Sequence, residues 1–494
     1  MSSLSRRQLL YWWAGLLVAS LLSLLSYYVP ALAQPLFWLT VVAFLITAWH
    51  SIGLATLLAI SELVIGAHGY LFSTMLFGNR VSIRLAFFVM LFLLSSYRVV
   101  LSFSDFKQSV KWLKPFFPFA VVTVLAIGLG IYHQHNPGDI FLDGNGYLAF
   151  GLLLPFSILY RQVNFKENLL RIVLLASSYV AIQTVLFLYV FSHPAFTYFA
   201  FDLYTWLRQN ILAEVTATVT GAYRIFTPSQ LFLLLGWSIA IWQLALEEKR
   251  GKKGGMWFAL AALYAGSLLI SFSRSFWLGW LISFCFAALY ALTRTARTFV
   301  TLLVYSFASV VVGFAFVFAV VRFPFPGAAG SFLSFGDRFN LSSEAAASSR
   351  WNQLVPLREA IEERPLLGSG FGRSITYLSN DPRVRAIEPS GEYTTVALEW
   401  GYLDMLLEFG LVGLLAFLMA VWGCIRLQNN GAVAVGVFFG AVAALGTHIG
   451  SPYFNHPIGI TLLLIVYVLR EDWQSRAVAV DKSIGSNNST AVDL

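Results

Sequence analysis

The chain has 494 residues, of which 58% are hydrophobic and 11% charged, with a mean hydropathy of +0.73. A soluble domain carries about 25% charged residues, so this composition excludes a water-soluble enzyme. The formal charge of +8 sits in segments flanking apolar runs, which makes anionic lipid the expected partner and gives no reason to expect nucleic acid.

Apolar runs long enough to cross a hydrocarbon core about 30 Å thick recur throughout. They are apolar on every side, which fits helices and not the alternating strands of a barrel. The expected fold is all-α, a polytopic membrane bundle with about fourteen spans: 9–29, 35–50, 52–71, 84–103, 114–132, 145–161, 169–191, 227–246, 256–273, 275–293, 298–321, 400–425, 431–450 and 456–470. The first run is too long for a signal peptide, lacks a small-residue cleavage site and is followed at once by another span, so it reads as an uncleaved helix. Only Trp49 to Gly53 separates the second span from the third. Cys285 and Cys424 both fall inside spans, so no disulfide framework is implied. Glu62, His68 and His448 read as embedded residues satisfied by structural partners.

With the N-terminus inside, Lys107, Lys111, Lys114, Lys166, Lys249, Lys252, Lys253 and Lys482, which are all the lysines, fall in cytoplasmic segments. Both termini are therefore expected in the cytoplasm. The polar tail, 471–494, is expected to be disordered. The spans divide into an N-terminal block (1–220), a core (221–425) and a C-terminal block (426–470), with no internal repeat and no folded soluble domain. Two long segments, 193–227 and 322–398, lie on the outer face, and loops of that length are usually functional. The larger one carries arginines 338, 350, 358, 364, 373, 383 and 385 among several acids.

In chain order, Arg224 comes first among residues that could do chemistry. Pro228 suits the first turn of a helix and leaves the arginine at the outer mouth of the bundle, as a ligand or an interfacial anchor. Arg274 lies between two apolar runs joined by almost no loop. An arginine there needs an anionic partner or a water-filled site, unless it snorkels to the interface. Next, Trp351, Leu354, Val355 and Ile361 recur at near-helical spacing, which predicts a helix on the outer leaflet opened by Arg350 and ended by Pro365. The glycines of Leu366-Leu367-Gly368-Ser369-Gly370-Phe371-Gly372-Arg373 permit tight turns and close backbone approach to a ligand. Finally, a helix re-enters from outside with Glu399 at its N-terminus, where the dipole favours a carboxylate. Asp404 and Glu408 share one face deeper down, as functional acids or as structural partners of an arginine.

Several arginines and at least one carboxylate thus converge on the outer face. Arginine binds phosphate oxygens in bidentate fashion, and a carboxylate facing them could take a proton from a hydroxyl. That combination describes transfer from a lipid pyrophosphate to a sugar hydroxyl. No Asp-x-Asp pair or metal-ligand cluster occurs, so arginine is expected to neutralise the leaving group, with neither metal nor cofactor.

The Ser273-Arg274-Ser275 turn, Arg350-Trp351, the Pro365-to-Gly372 stretch and Tyr402-Leu403 running into Glu408-Phe409-Gly410-Leu411-Val412-Gly413 occur in an order that resembles the O-antigen ligase and polymerase superfamily of bacterial envelope glycosyltransferases. The resemblance covers residues from about 220 to 420. It implies a glycosyltransferase-C-like fold with one large periplasmic loop, an inner-membrane location, and metal-free transfer of glycan from undecaprenyl pyrophosphate on the periplasmic face. Arg274 and Arg350 match the family's pyrophosphate-binding arginines, and Arg224 stands where many members carry one. Arg373, Tyr402, Asp404 and Glu408 are expected to support the site. Acceptor glycan or lipid, chain-length regulators and export proteins are the implied partners. One departure bears on function. The ligases carry a His-Asn pair where this chain reads Glu399-Trp400, and 322–398 contains no histidine. A polymerase with Glu399 as base is therefore expected. A ligase to lipid A core or protein is the alternative, and a flippase of lipid-linked sugars the reading from a different class.

Overall fold

The computed structural model describes residues 3–76, 78–217, 223–251, 254–323, 345–427 and 431–470. The tail 471–494, Lys252, Lys253 and Arg338 lie outside these residues. The chain is a polytopic membrane helix bundle, 78% helical, and among the described residues ten helices are long and apolar enough to cross a membrane. Four shorter apolar helices, Ile52–Ile65, Gly255–Ile270, Ala432–His448 and Pro457–Leu469, occupy the four remaining predicted spans.

Local sequence sets the helix ends. Ser51 interrupts the apolar run at the predicted second junction, where its hydroxyl accepts from Leu54 N and separates Ala33–His50 from Ile52–Ile65. Prolines open the first turns at Pro137, Pro228 and Pro457. The third span is shorter than predicted: its helix stops at Ile65, and His68 sits in the turn beyond it.

Small residues let the helices approach closely. A Cβ on Gly313 would lie 2.6 Å from Ala262 O, and one on Gly279 would lie 2.2 Å from Ala443 O. These contacts bring the Ala296–Arg322 helix against Gly255–Ile270, and the Arg274–Leu292 helix against Ala432–His448, by backbone-to-backbone packing of the kind membrane bundles rely on. The helices on either side of the Ser271–Ser273 turn are thereby each packed closely on a neighbour.

Helix ends assigned to the same side by the alternation of spans do meet. At one end, Leu4 N donates to Asn168 Oδ1 (2.7 Å), Arg98 to Trp49 O (3.0 Å), and Tyr467 OH to Trp112 O (3.2 Å). At the other, Tyr28 OH donates to Asp202 (3.1 Å), Arg80 to Gln209 O (2.6 Å), and His133 Nδ1 bonds Ser369 O (2.9 Å).

The two long outer segments are not featureless. The first holds a helix, Thr197–Gln209, and a hairpin pairing Glu214–Ala217 with Tyr223–Phe226. The described part of the second holds short helices at Ala345–Asn352, Leu354–Glu363 and Pro382–Ile387, and a hairpin pairing Ile375–Leu378 with Glu392–Thr395. The expected surface helix is thus broken at Gln353, and Arg350 falls near the end of its first piece instead of opening it. Trp351 and Val355 are exposed while Leu354 and Ile361 are half-buried, with Ile361 packed on the buried Leu357 and Ala360, so only half of the predicted apolar stripe faces away from the protein.

The Pro365-to-Gly372 stretch ends the surface helix as predicted, but its glycines approach protein and not a ligand. Gly410, inside the Gly401–Ile425 helix, adopts φ 63° and ψ −169°, which breaks the helix. The groups freed there are taken up by the glycine stretch: Leu411 N donates to Pro365 O, Val412 N to Leu366 O, Ser369 N to Leu407 O and Gly370 N to Glu408 O, at 2.7–3.1 Å. Non-helical backbone at membrane depth is tolerated only when buried in protein, and this segment meets that condition. The side of the stretch away from Gly410 packs on neighbouring helices through Phe371 N to Ala126 O (3.0 Å) and Gly372 N to Asp143 Oδ2 (2.7 Å).

Candidate functional site

A cavity of about 760 Å³ opens among the helix ends on one face of the bundle, within the range of small-molecule sites. Its walls come from segments far apart in sequence: the 214–226 hairpin, the turn at Ser273, the loop from Ser349 to Glu399, the turn at His68, and the link 451–456. Two arginines, Arg224 and Arg350, and five acids, Glu214, Asp381, Glu388, Glu392 and Glu399, line it.

Three of the predicted site residues are therefore brought together. Arg350 and Glu399 form a direct ion pair, with both side chains partly exposed. The pair is held by its neighbours: Trp400 Nε1 donates to Arg350 O (3.0 Å), and Glu399 N donates to Gln353 Oε1 (3.3 Å). Glu399 lies just before the N-cap Trp400 of Gly401–Ile425, close to the predicted position at the helix N-terminus. Arg224, on the second strand of its hairpin, donates from Nε to Ser271 O (3.0 Å), stands over the Phe226 ring, and keeps Nη1 4.0 Å from Glu214. Its guanidinium is thus anchored on one edge.

Arg274 is the first residue of its helix, following the tight turn Ser271–Ser273 in which Phe272 has φ 45°. Ser273 lines the cavity, while Arg274 is not among its lining residues. The supporting residues are elsewhere. Arg373 pairs with Glu363 (3.0 Å). Tyr402 OH donates to Leu445 O (3.0 Å) and its ring packs on His448. Asp404 accepts from Asn455 (2.7 Å) and not from an arginine, and Glu408 is buried a turn deeper. His448 is fully buried and accepts from Phe454 N (3.3 Å), in keeping with a structural role.

Several lining residues were not singled out from the sequence. Glu392, seven residues before Glu399 in the same loop, is one of them. Tyr453 and His456 come from the short link before the last helix, and His68, read as a structural residue, faces the same space. His68 and His456 touch, Nδ1 to Nε2 at 3.2 Å, across 388 residues of sequence. No local pattern could signal that contact. His68 is pushed down to about 4 by burial and then by the Arg84 guanidinium, and burial holds His456 well below the usual histidine range, so both rings are neutral near pH 7.

Among the described residues, no group of three or more His, Cys, Asp or Glu side chains is placed to hold a metal ion. What the cavity offers chemically is two guanidinium groups for an anion, carboxylates for hydroxyl groups, and neutral ring and phenol donors.

Comparison with known proteins gives one match. Residues 259–418 fit a family model described as O-antigen ligase, spanning Arg274, Arg350, the glycine stretch, Glu399 and the broken helix. No curated protein and no solved structure matches.

Proposed function

We propose that this chain, a multi-pass member of the O-antigen ligase and polymerase superfamily through its 259–418 domain, is a polysaccharide polymerase. The family implies glycosyl transfer of the ligase or polymerase type, with lipid-linked glycan as substrate. The finer reading is that the donor glycan leaves undecaprenyl pyrophosphate and joins a sugar hydroxyl of the acceptor, on the periplasmic side of the inner membrane.

One observation carries this reading: Glu399 and Arg350 are paired on the wall of a cavity that also presents Arg224. In the resting state the pair is partly exposed, and exposed ion pairs contribute about 0–1 kcal/mol. Charge-assisted hydrogen bonds to a phosphate are worth about 1.5–3 kcal/mol each. A pyrophosphate can therefore draw Arg350 away and leave the carboxylate free to accept a proton from the incoming hydroxyl. Donor binding would then create the base. As the glycosidic C–O bond to pyrophosphate breaks and the new one forms, Arg224 and Arg350 hold the departing charge. Arg274, which follows the cavity-lining Ser273 at the start of its helix, is assigned to the same pyrophosphate on its position in the family pattern, and the two arginines on the wall support a reaction without metal.

The carboxylate at position 399 supports polymerisation over ligation, since the ligases place a histidine there. The test uses purified protein with a lipid-linked repeat unit and excess chelator. A ladder of lipid-linked oligomers from wild type, absent with Glu399→Gln, is expected. Product only when lipid A core or protein acceptor is added would make it a ligase.

A further inference from the structure

We propose that His68 binds a glycan oxygen through a neutral N–H donor whose direction is fixed by His456. The inference rests on the cavity being the transfer site, and goes beyond it by assigning the wall that grips sugar.

The direction of the donor follows from one backbone group. His456 is the N-cap of Pro457–Leu469, and its Nδ1 accepts from Ile458 N at 3.3 Å. A backbone N–H can only donate, so Nδ1 is bare and a neutral His456 carries its proton on Nε2. That Nε2 faces His68 Nδ1 at 3.2 Å, so His68 Nδ1 must accept. The His68 proton is then on Nε2, at the far edge of a ring that lines the cavity. Among the described residues, no partner is recorded for that nitrogen. The chain of donors runs from Ile458 through His456 to whatever occupies the cavity.

The protein invests in holding His68 there. The turn after Ile52–Ile65 places Ala67 at φ 48° and Gly69 at φ 91°, and a non-glycine residue in the left-handed region is strained unless its surroundings hold it there. Arg84 holds the turn, donating to Ala67 O (2.6 Å) and Leu63 O (3.2 Å) while paired with Glu62 at 3.0 Å, all of it buried. A Cβ on Gly69 would lie 2.7 Å from Arg84 Cβ, so only glycine lets the turn pack this closely on that side chain. The same cation disfavours a charge on His68. A second neutral donor lines the same cavity: among the described residues the buried Tyr453 hydroxyl has no hydrogen-bond partner, and its ring is stacked against Phe276. Uncharged N–H and O–H groups beside an arginine-bearing wall suit the hydroxyl and ring oxygens of a sugar, and leave the pyrophosphate to the guanidinium groups.

The experiment combines spectroscopy and kinetics on the full-length protein. Nitrogen-15 NMR of histidine-labelled protein at pH 7, assigned with His68→Gln, is expected to show His68 as the Nε2–H neutral tautomer. An Nδ1–H or doubly protonated ring overturns the inference, whatever the protein's activity. With lipid-linked glycan isolated from a strain lacking this protein, His68→Ala should lower kcat/KM about tenfold, the order of one lost hydrogen bond, through KM. His68→Gln, which retains an amide donor, should recover most of it, and inhibition by inorganic pyrophosphate should be unchanged in both. Loss of kcat by about a hundredfold in both variants marks a general base and overturns the donor assignment, as would an unaffected His68→Ala or a weakened pyrophosphate inhibition. Failure of Glu399→Gln to impair transfer would count against the site itself and leave the tautomer result standing.

Discussion

At the scale of residues, guanidinium geometry decides the argument about the site. Arg350 is tied to Glu399 and Arg224 is anchored on Ser271 O, so each presents a planar fork from a fixed base. Lysine would supply charge without the fork. Replacing either with Lys is expected to lower kcat/KM about ten- to a hundredfold, measured with lipid-linked donor, with thermal stability in detergent unchanged. Wild-type kinetics from Arg350→Lys would remove it from the donor site. A pH effect follows from His68. Its folded pKa is depressed to about 4 from an ordinary 6.5, so the unfolded chain binds more protons between those values. Stability should therefore fall as pH drops through that window, and His68→Gln should flatten the fall, read by melting in detergent. Arg224, Arg350 and Glu399, which share the cavity wall, could be singled out in the sequence because charges stand out beside apolar runs. His68, Tyr453 and His456 were not, because each sits at the edge of a span and acquires meaning only when the links after Ile52–Ile65 and Ala432–His448 converge.

At the scale of elements, two sequence features that read as separate motifs form one unit. Gly368, Gly370 and Gly372 have φ of 73°, 80° and 83°, and the stretch caps the break at Gly410. A Cβ on Gly370 would lie 2.4 Å from Gly130 N, a backbone atom with nowhere to go. Gly370→Ala is expected to destabilise by at least about 1–3 kcal/mol, seen as poor yield or a lower melting temperature, although no cavity residue is altered. Normal stability in that variant would mean the stretch is not packed against the helix as described. The sequence did show that this segment needed unusual backbone. It could not show that the needed partner was another helix's broken turn, because register between elements is set by packing and not by local pattern.

At the scale of the whole molecule, the spans were the most legible feature. Length and hydropathy alone determine whether a segment can cross lipid, and each of the fourteen predicted runs contains an apolar helix. Helix ends that the alternation of spans assigns to one face also meet one another. We assign the face with the cavity to the periplasm on the lysine distribution. Tyr198, 94% exposed at that end, tests this when replaced by cysteine. A membrane-impermeant thiol reagent should label Tyr198→Cys in cells whose inner membrane is intact, and should label Lys107→Cys only after that membrane is opened. The reverse pattern would invert the topology. Three-dimensional closure of the cavity was beyond the sequence, since its walls are drawn from residues 68 to 456.

The central claim, that Glu399 serves a polymerase, is tested most directly in a strain lacking this protein and complemented with wild type or Glu399→Gln, by measuring glycan length on the lipid carrier. The account predicts long chains with wild type, and single lipid-linked repeat units accumulating on the periplasmic side in both the null and the Glu399→Gln strain. Long lipid-linked chains left unattached would show a ligase, and units trapped on the cytoplasmic side a transporter; either would contradict it.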